Sequence, residues 1–210
     1  MAIIYIDPND IAPSSIEKVV TILKAGGVVA FPTETFYGLA ADAANEGAVD
    51  RIFEIKGRSF NNPIALIISK KDDLDLITNN IPEEAKTLMT AFWPGPLTIV
   101  FEASPSVSPR LTAGTSKIGV RISSHPIANA LAAGLGRPIT ATSANLSGER
   151  ECTSAEEVRG QMTNVQITVI DGGPTPGGRG STFLDVTADP PALLREGAIQ
   201  DAALRVALRR

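Results

Sequence analysis

An α/β fold built on a mixed sheet is what this sequence predicts, and three observations predict it. Segments of helical and strand pattern alternate along nearly all of its 210 residues, the sign of layered α/β architecture. The strand candidates are short apolar runs such as Val28-Val29-Ala30-Phe31 and Ile64-Ala65-Leu66-Ile67-Ile68, the pattern of strands covered on both faces. Beyond Gln166 strand candidates follow one another with no helix between them, which argues for a mixed sheet.

The elements follow in order. Pro13-Ser14-Ser15 precedes Ile16, Val19, Val20 and Leu23, and Gly26-Gly27 follows, giving a capped amphipathic helix with a glycine stop. The strand at 28–31 is closed by Pro32. Residues 48–56 form a short helix with Val49, Ile52 and Phe53 on one face, and 64–68 the next strand. Pro82-Glu83-Glu84 opens a helix that runs to Phe92, proline and acids suiting a first turn. Strands at 97–101 and 118–122 come next, then an apolar helix over 127–135 stopped by Gly136, then a strand at 139–142 that enters a turn. A helix over 154–162, strands at 166–170, 183–186 and 192–195, and a helix over 201–208 complete the chain. The run Gly-Gly-Pro-Thr-Pro-Gly-Gly-Arg-Gly at 172–180 excludes regular structure and reads as a mobile segment near a ligand.

Composition narrows the function. Apolar residues make up 43% and charged residues 20%, the balance of globular proteins. No repeat, low-complexity tract or linker divides the chain, so 1–210 reads as a single domain. The one cysteine, Cys152, excludes an intrachain disulfide framework and a thiolate metal cage, and fits a reducing compartment. The N-terminus lacks the basic region and apolar core of a signal peptide. No uncharged apolar run approaches the roughly 20 residues of a membrane helix. The expected location is the cytoplasm, with no membrane partner. A net charge of -4 argues against a broad grip on nucleic acid, so anions would be held by local basic groups.

Familiar nucleotide fingerprints are absent: there is no G-x-x-x-x-G-K-[ST] and no G-x-G-x-x-G after a strand. With one histidine, His125, no multi-histidine zinc site is possible, and no G-x-S-x-G elbow accompanies it. What stands out is polar and basic residues at the ends of apolar strands, where open α/β sheets bind ligands. Pro32-Thr33-Glu34-Thr35-Phe36-Tyr37-Gly38-Leu39 follows one such strand, and its hydroxyls can orient a small polar substrate or simply cap a turn. Lys56-Gly57-Arg58 ends a helix, which dipole complementarity alone explains, but Asn61-Asn62-Pro63 follows directly, and cations beside amides suit phosphate oxygens. Arg121 and Arg195 lie in apolar strands, each facing solvent by alternation or pairing with a carboxylate at the strand's end. Ser143-Ala144-Asn145-Leu146-Ser147-Gly148 is either an anion-binding turn or a glycine-closed Asx turn. Gly177-Gly178-Arg179-Gly180-Ser181-Thr182 is a surface loop or a hinged lid. Together these groups fit small-molecule phosphate chemistry.

Seven of these motifs stand in one order: Phe31-Pro32-Thr33-Glu34-Thr35-Phe36-Tyr37-Gly38-Leu39, Lys56-Gly57-Arg58 with Asn61-Asn62-Pro63, Trp93-Pro94-Gly95-Pro96-Leu97-Thr98, Val120-Arg121-Ile122 before His125-Pro126, Ser143-Ala144-Asn145-Leu146-Ser147-Gly148, Gly180-Ser181-Thr182, and Leu194-Arg195-Glu196-Gly197. In this order and spacing they resemble the YrdC/TsaC family of threonylcarbamoyl-AMP synthases, over residues 15–197 or so. The resemblance implies a twisted mixed sheet with helices packed around it and a concave, positively lined cleft. It implies a nucleotidyltransferase that joins L-threonine, bicarbonate and ATP into threonylcarbamoyl-AMP and releases pyrophosphate. Other proteins would then carry the threonylcarbamoyl group to tRNA, which the enzyme itself meets only weakly or indirectly.

The family's KxR and SxN motifs fall on Lys56 and Arg58 and on Ser143 and Asn145, the implied catalytic groups. Arg58, Ser143 and Asn145, with Asn62, Lys117 and Arg195, are implied to hold ATP. Thr35, Arg121 and Ser181 are implied to hold threonine, with Arg121 on its carboxylate. Where some members carry a histidine, this chain has Ile67. The chain ends soon after Arg195-Glu196-Gly197, as in the family's short form. No protein metal site is implied; Mg2+ would ride on the ATP phosphates, keeping several of its waters. Such a reaction needs positioning and neutralised charge more than a protein nucleophile. The segment 172–180 would close as a lid over the intermediate, and replacing Lys56 or Arg58 with alanine would cost activity while leaving the fold intact. The alternatives are a carbamoyl-handling or hydrolytic paralogue of the same fold, which the intact KxR and SxN motifs oppose, and an RNA-binding module, which the charge opposes.

Overall fold

The computed structural model describes residues 1–57 and 59–209. Among the described residues ten strands form one sheet: β1 (Ala2–Tyr5), β2 (Val29–Pro32), β3 (Tyr37–Ala40), β4 (Ala65–Ile67), β5 (Leu97–Glu102), β6 (Lys117–Arg121), β7 (Ile139–Ser143), β8 (Thr168–Asp171), β9 (Thr182–Asp185) and β10 (Ala192–Arg195). Their order is β1-β8-β2-β3-β7-β4-β6-β5-β9-β10. The pairs β1/β8, β8/β2, β4/β6 and β5/β9 are parallel and the other five antiparallel. The sheet is thus mixed, as expected.

Seven α-helices pack on it: α1 (Pro13–Lys24), α2 (Glu46–Lys56), α3 (Glu83–Phe92), α4 (Pro109–Thr112), α5 (Pro126–Leu135), α6 (Ala155–Gln161) and α7 (Asp201–Leu208), counted among the described residues. α1 starts with Pro13 at its first position and buries Ile16, Val19, Val20 and Leu23, the i, i+3, i+4, i+7 stripe of an amphipathic helix. In α2 the Asn45 side chain accepts from the Ala48 N–H, and Gly57 closes the helix at φ 57°, a left-handed conformation that costs glycine least. Among the described residues no helix is long and apolar enough to cross a membrane.

Alternation along the strands divides the core. In β2, Val29 and Phe31 pack with α1 and α5, while Ala30 packs on the opposite face in the larger cluster that takes in α2, α3 and α6. Each large apolar side chain buried here contributes roughly 1.5–3 kcal/mol. α1 and α5 cover only part of their face. Ile67 and Ile139 lie beneath them, but Ala65 and Ala141, two residues back or on along the same strands, line an open cavity. Small residues keep its floor low. A Cβ on Gly119 of β6 would stand 3.0 Å from Thr98 Cγ2 and 3.2 Å from the Phe183 ring.

The structure adds elements to those expected: β1, β3, α4 and a 3-10 turn at Lys71–Leu76. β3 runs through Tyr37-Gly38-Leu39-Ala40, part of the stretch read as a ligand turn, because the turn at 33–36 reverses the chain straight into an antiparallel partner of β2.

Candidate active site

A cavity of about 340 Å3 opens on the part of the sheet that α1 and α5 leave bare. Thr35, Arg121, Ser143, Ser181 and Arg195 all line it, together with Thr33, Pro63, Glu151, Phe183 and Leu194. Five of the expected site residues, from segments far apart in sequence, therefore meet in one concavity.

The turn between β2 and β3 presents Thr35. Thr33 makes it: its hydroxyl donates to the Phe36 carbonyl at 2.6 Å and accepts from the Thr35 N–H at 3.2 Å. Glu34, between them, reaches Arg121 at the end of β6, whose Nε donates to Glu34 Oε1 at 3.1 Å; the two side chains are 10% and 7% exposed. Ser123 Oγ donates to the second Glu34 oxygen. Of the two placements alternation allowed for Arg121, the structure takes the carboxylate pair. With Nε engaged, the Nη end of the guanidinium makes no hydrogen bond among the described residues, and that end offers the planar fork that matches a carboxylate.

His125 adjoins this network as the residue before α5, and its backbone N–H donates to Ser123 Oγ at 3.2 Å. Its Nδ1 is buried with no hydrogen-bond partner among the described residues. Burial pushes the imidazole below its ordinary value and Glu34 opposes the shift. A histidine that folds neutral binds fewer protons than in the unfolded chain, so stability rises with pH across its titration. We predict that this contribution is complete above about pH 6.5 and is lost as pH falls through the lowered folded-state value. Urea unfolding at neutral and mildly acidic pH checks it. His125→Gln should shrink the loss between the two conditions, and an undiminished loss would count against this role.

On the other flank, the SxN turn is built by Lys56. The Lys56 side chain is 4% exposed, and its Nζ donates to Ser143 O at 2.5 Å, Asn145 O at 2.8 Å and Asn145 Oδ1 at 3.1 Å. Ser143 Oγ donates to the same Asn145 Oδ1 at 2.6 Å, and Asn145 Nδ2 donates to Glu149 O at 2.6 Å. Ser147 N–H returns a bond to Lys56 O at 3.0 Å. The end of α2 and the turn after β7 are thus tied in both directions. Lys56 and Asn145 stand behind Ser143 and do not line the cavity.

Arg195, at the end of β10, lies over the Phe183 ring at 4.5 Å and donates through Nη2 to Ser181 O at 2.8 Å. Burial lowers its pKa, Glu151 raises it and Arg121 lowers it further. The following Gly197 is required by contact: a Cβ there would stand 2.1 Å from the Gly180 carbonyl. Thr182, fully buried, takes the Gly197 and Ile199 N–H groups on its hydroxyl at 3.0 Å each.

The glycine-rich segment is more firmly held than its composition suggests. Tyr37 Oη donates to Gly173 O at 2.7 Å, Thr175 N–H to Thr153 O at 2.8 Å, and Gly177 N–H to Thr35 O at 2.8 Å. Glycine and proline exclude regular structure without excluding anchors, so the expected hinge narrows to 178–180. Cys152 serves the same scaffold: its carbonyl accepts from Tyr37 N–H at 2.8 Å, and burial, with Glu157, pushes the thiol up to about 11, which leaves it unreactive at neutral pH.

Other expected residues lie apart. Asn62 is exposed in the loop before β4, one residue before the lining Pro63. Lys117 begins β6, four residues and so about 13 Å from Arg121, and pairs with Asp185 at 2.9 Å. Arg58 lies outside the described residues. Ile67 is fully buried under α1 and α5 and does not line the cavity. Sequence reasoning missed Glu34, Glu151, Phe183 and Thr98 as parts of the site. Glu34 and Thr98 stood inside quoted motifs, whereas nothing local marked Glu151 or Phe183. Among the described residues no group of three or more His, Cys, Asp or Glu is placed to hold a metal ion.

Comparison with known proteins places this architecture. The threonylcarbamoyl-AMP synthase of Bacillus subtilis (strain 168) is 45% identical over 185 residues, covering 88% of this chain and 54% of that protein. The crystal structure of Pyrococcus abyssi Sua5 complexed with L-threonine superposes with a TM-score of 0.95 at 40% identity, over 99% of this chain and 61% of that one. Escherichia coli YciO gives 0.87 at 29% identity, over 97% and 99%. The chain spans about half the length of the first curated relatives it matches. The family model for Sua5, YciO and YrdC, described as "Telomere recombination", matches residues 21–197, and with that match the chain belongs to the Sua5/YciO/YrdC family.

Proposed function

We propose that the chain is an L-threonylcarbamoyladenylate synthase, a single YrdC-like domain over 1–210 that condenses L-threonine, bicarbonate and ATP. The observation that carries the reading is that Arg121, with its Nη end uncommitted, shares one cavity with Thr35 and Ser181 on one side and with Ser143 and Arg195 on another. An amino-acid carboxylate on Arg121 and phosphates near Ser143 and Arg195 would then lie within one small volume. The names of relatives such as the Bacillus subtilis synthase point to the same reaction.

Threonine's free amine and bicarbonate give a carbamate and water. A carbamate oxygen forms a bond to the α-phosphorus of ATP, the bond from that phosphorus to the bridging oxygen breaks, and pyrophosphate leaves. No protein nucleophile is needed; what accelerates the step is alignment and neutralised charge. Arg121 holds the carboxylate, Thr35 and Ser181 bind the amino acid beside it, and Ser143, Arg195 and, by family resemblance, Arg58 and Asn62 hold the nucleotide. Lys56 and Asn145 act by shaping the turn that carries Ser143. Lys117, paired with Asp185, stays outside this set. Mg2+ enters with the triphosphate as part of the substrate and needs few protein ligands.

The product is consumed by proteins that transfer the threonylcarbamoyl group to tRNA, in the cytoplasm. A net charge of -4 fits an enzyme that does not itself grip tRNA strongly. The test is pyrophosphate release from ATP, which should require both L-threonine and bicarbonate.

A further inference from the structure

Two hydroxyls face the amino-acid half of the cavity, and the groups behind them fix which one gives a proton and which one receives. Thr98 is fully buried on β5, and among the described residues its hydroxyl makes one hydrogen bond, to Ser181 Oγ at 3.0 Å. A buried hydroxyl proton with one available acceptor goes there, since leaving it unpaired is costly. Thr98 is therefore the donor. Ser181 Oγ also accepts from Arg195 Nη2 at 3.3 Å. A hydroxyl oxygen has two acceptor positions and one proton. Both acceptor positions are taken by protein donors, so the Ser181 proton is left for a ligand in the cavity.

The opposite holds for Thr35. The Thr33 hydroxyl has committed its proton to Phe36 O at 2.6 Å, so in its 3.2 Å contact with Thr35 Oγ1 it accepts. The Thr35 proton is thereby used, and Thr35 offers lone pairs to the cavity.

We propose that Thr98 is a positioning residue that locks Ser181 as a donor, and that the amino-acid half of the cavity presents a fixed triplet of cation (Arg121), donor (Ser181) and acceptor (Thr35). This deepens the synthase reading and rests on it. The triplet matches one orientation of an α-amino acid: carboxylate oxygens on Arg121 and Ser181, and an N–H or side-chain O–H on Thr35. The reversed orientation would set an ammonium against Arg121 and the Ser181 proton, and is rejected.

The test is calorimetric titration of the full chain with L-threonine and, separately, with ATP. Thr98→Val keeps the shape and deletes the hydroxyl. It should weaken L-threonine by about fivefold, the net worth of one hydrogen bond, and leave ATP affinity within about twofold. Thr98→Ser retains the donor and should restore threonine affinity. Combined with Ser181→Ala, Thr98→Val should add nothing further, because both act through one proton.

Unchanged threonine affinity in Thr98→Val, additive effects in the double variant, or equal losses in Thr98→Ser and Thr98→Val would each overturn the inference alone. If Thr98→Val does not fold, Ser181→Ala decides: a loss of threonine affinity supports the donor role, and no loss overturns it. A wild-type chain that binds no L-threonine, with or without ATP, overturns the synthase reading and this inference with it.

Discussion

Arg121→Ala is expected to lower threonine-dependent turnover by about a hundredfold or more and to destabilise the chain by about 3–5 kcal/mol. The two effects have separate causes. Turnover falls because the fork that aligns the substrate carboxylate is gone. Stability falls because Glu34, 10% exposed at its side chain, is left as a buried charge with only the Ser123 hydroxyl as partner among the described residues. At roughly 2–4 °C per kcal/mol for a chain of this size, the thermal transition should drop by about 6–20 °C. Replacing both partners with methionine should recover most of that stability, since a buried ion pair gains little over an apolar pair, while activity stays lost. Arg121→Lys keeps a charge but cannot hold Glu34 and a carboxylate in the same planar geometry, so it should fall between. Wild-type turnover in Arg121→Ala would remove Arg121 from the substrate site.

Lys56→Met is expected to cost both activity and stability. The sequence-based expectation was a loss of activity with the fold intact. The structure changes it, because the Lys56 ammonium donates to Ser143 O, Asn145 O and Asn145 Oδ1 from a position 4% exposed. Removing it leaves acceptors unsatisfied in the turn that shapes one wall of the cavity, at a cost of roughly 3 kcal/mol. Pyrophosphate release and the thermal transition should fall together. A variant that keeps its transition temperature while losing activity would mean that Lys56 works from the cavity and not from behind the turn.

These two residues also show what was legible in the chain and what was not. The periodicities that set α1, α5 and the central strands are local and strong, and those elements stand within a residue or two of their expected bounds. β1 was not expected because four residues at a chain end carry little pattern, and β3 was hidden inside a motif read for its chemistry. The site was legible as a set of strand-end polar groups but not as a geometry. Arg121 and Glu34 are 87 residues apart, and so are Lys56 and Ser143. Alternation alone permits an arginine to face water or a partner, and a lysine at a helix end serves the dipole equally well pointing out. Which of these occurs is decided by where distant strands pair, and no local signal carries that. The glycine-rich segment shows the same limit: its composition marks irregular backbone, and the hydrogen bonds that tie it to Tyr37, Thr153 and Thr35 have no local signal.

The central claim is that one cavity brings an amino-acid carboxylate and the phosphates of ATP together so that a carbamate oxygen can reach the α-phosphorus. Pyrophosphate release from ATP by the purified chain, measured with L-threonine and bicarbonate together and with each omitted, tests it most directly. The account predicts release only when both are present, abolished by Arg121→Ala. Release that proceeds without threonine, or no release under any combination, would contradict it.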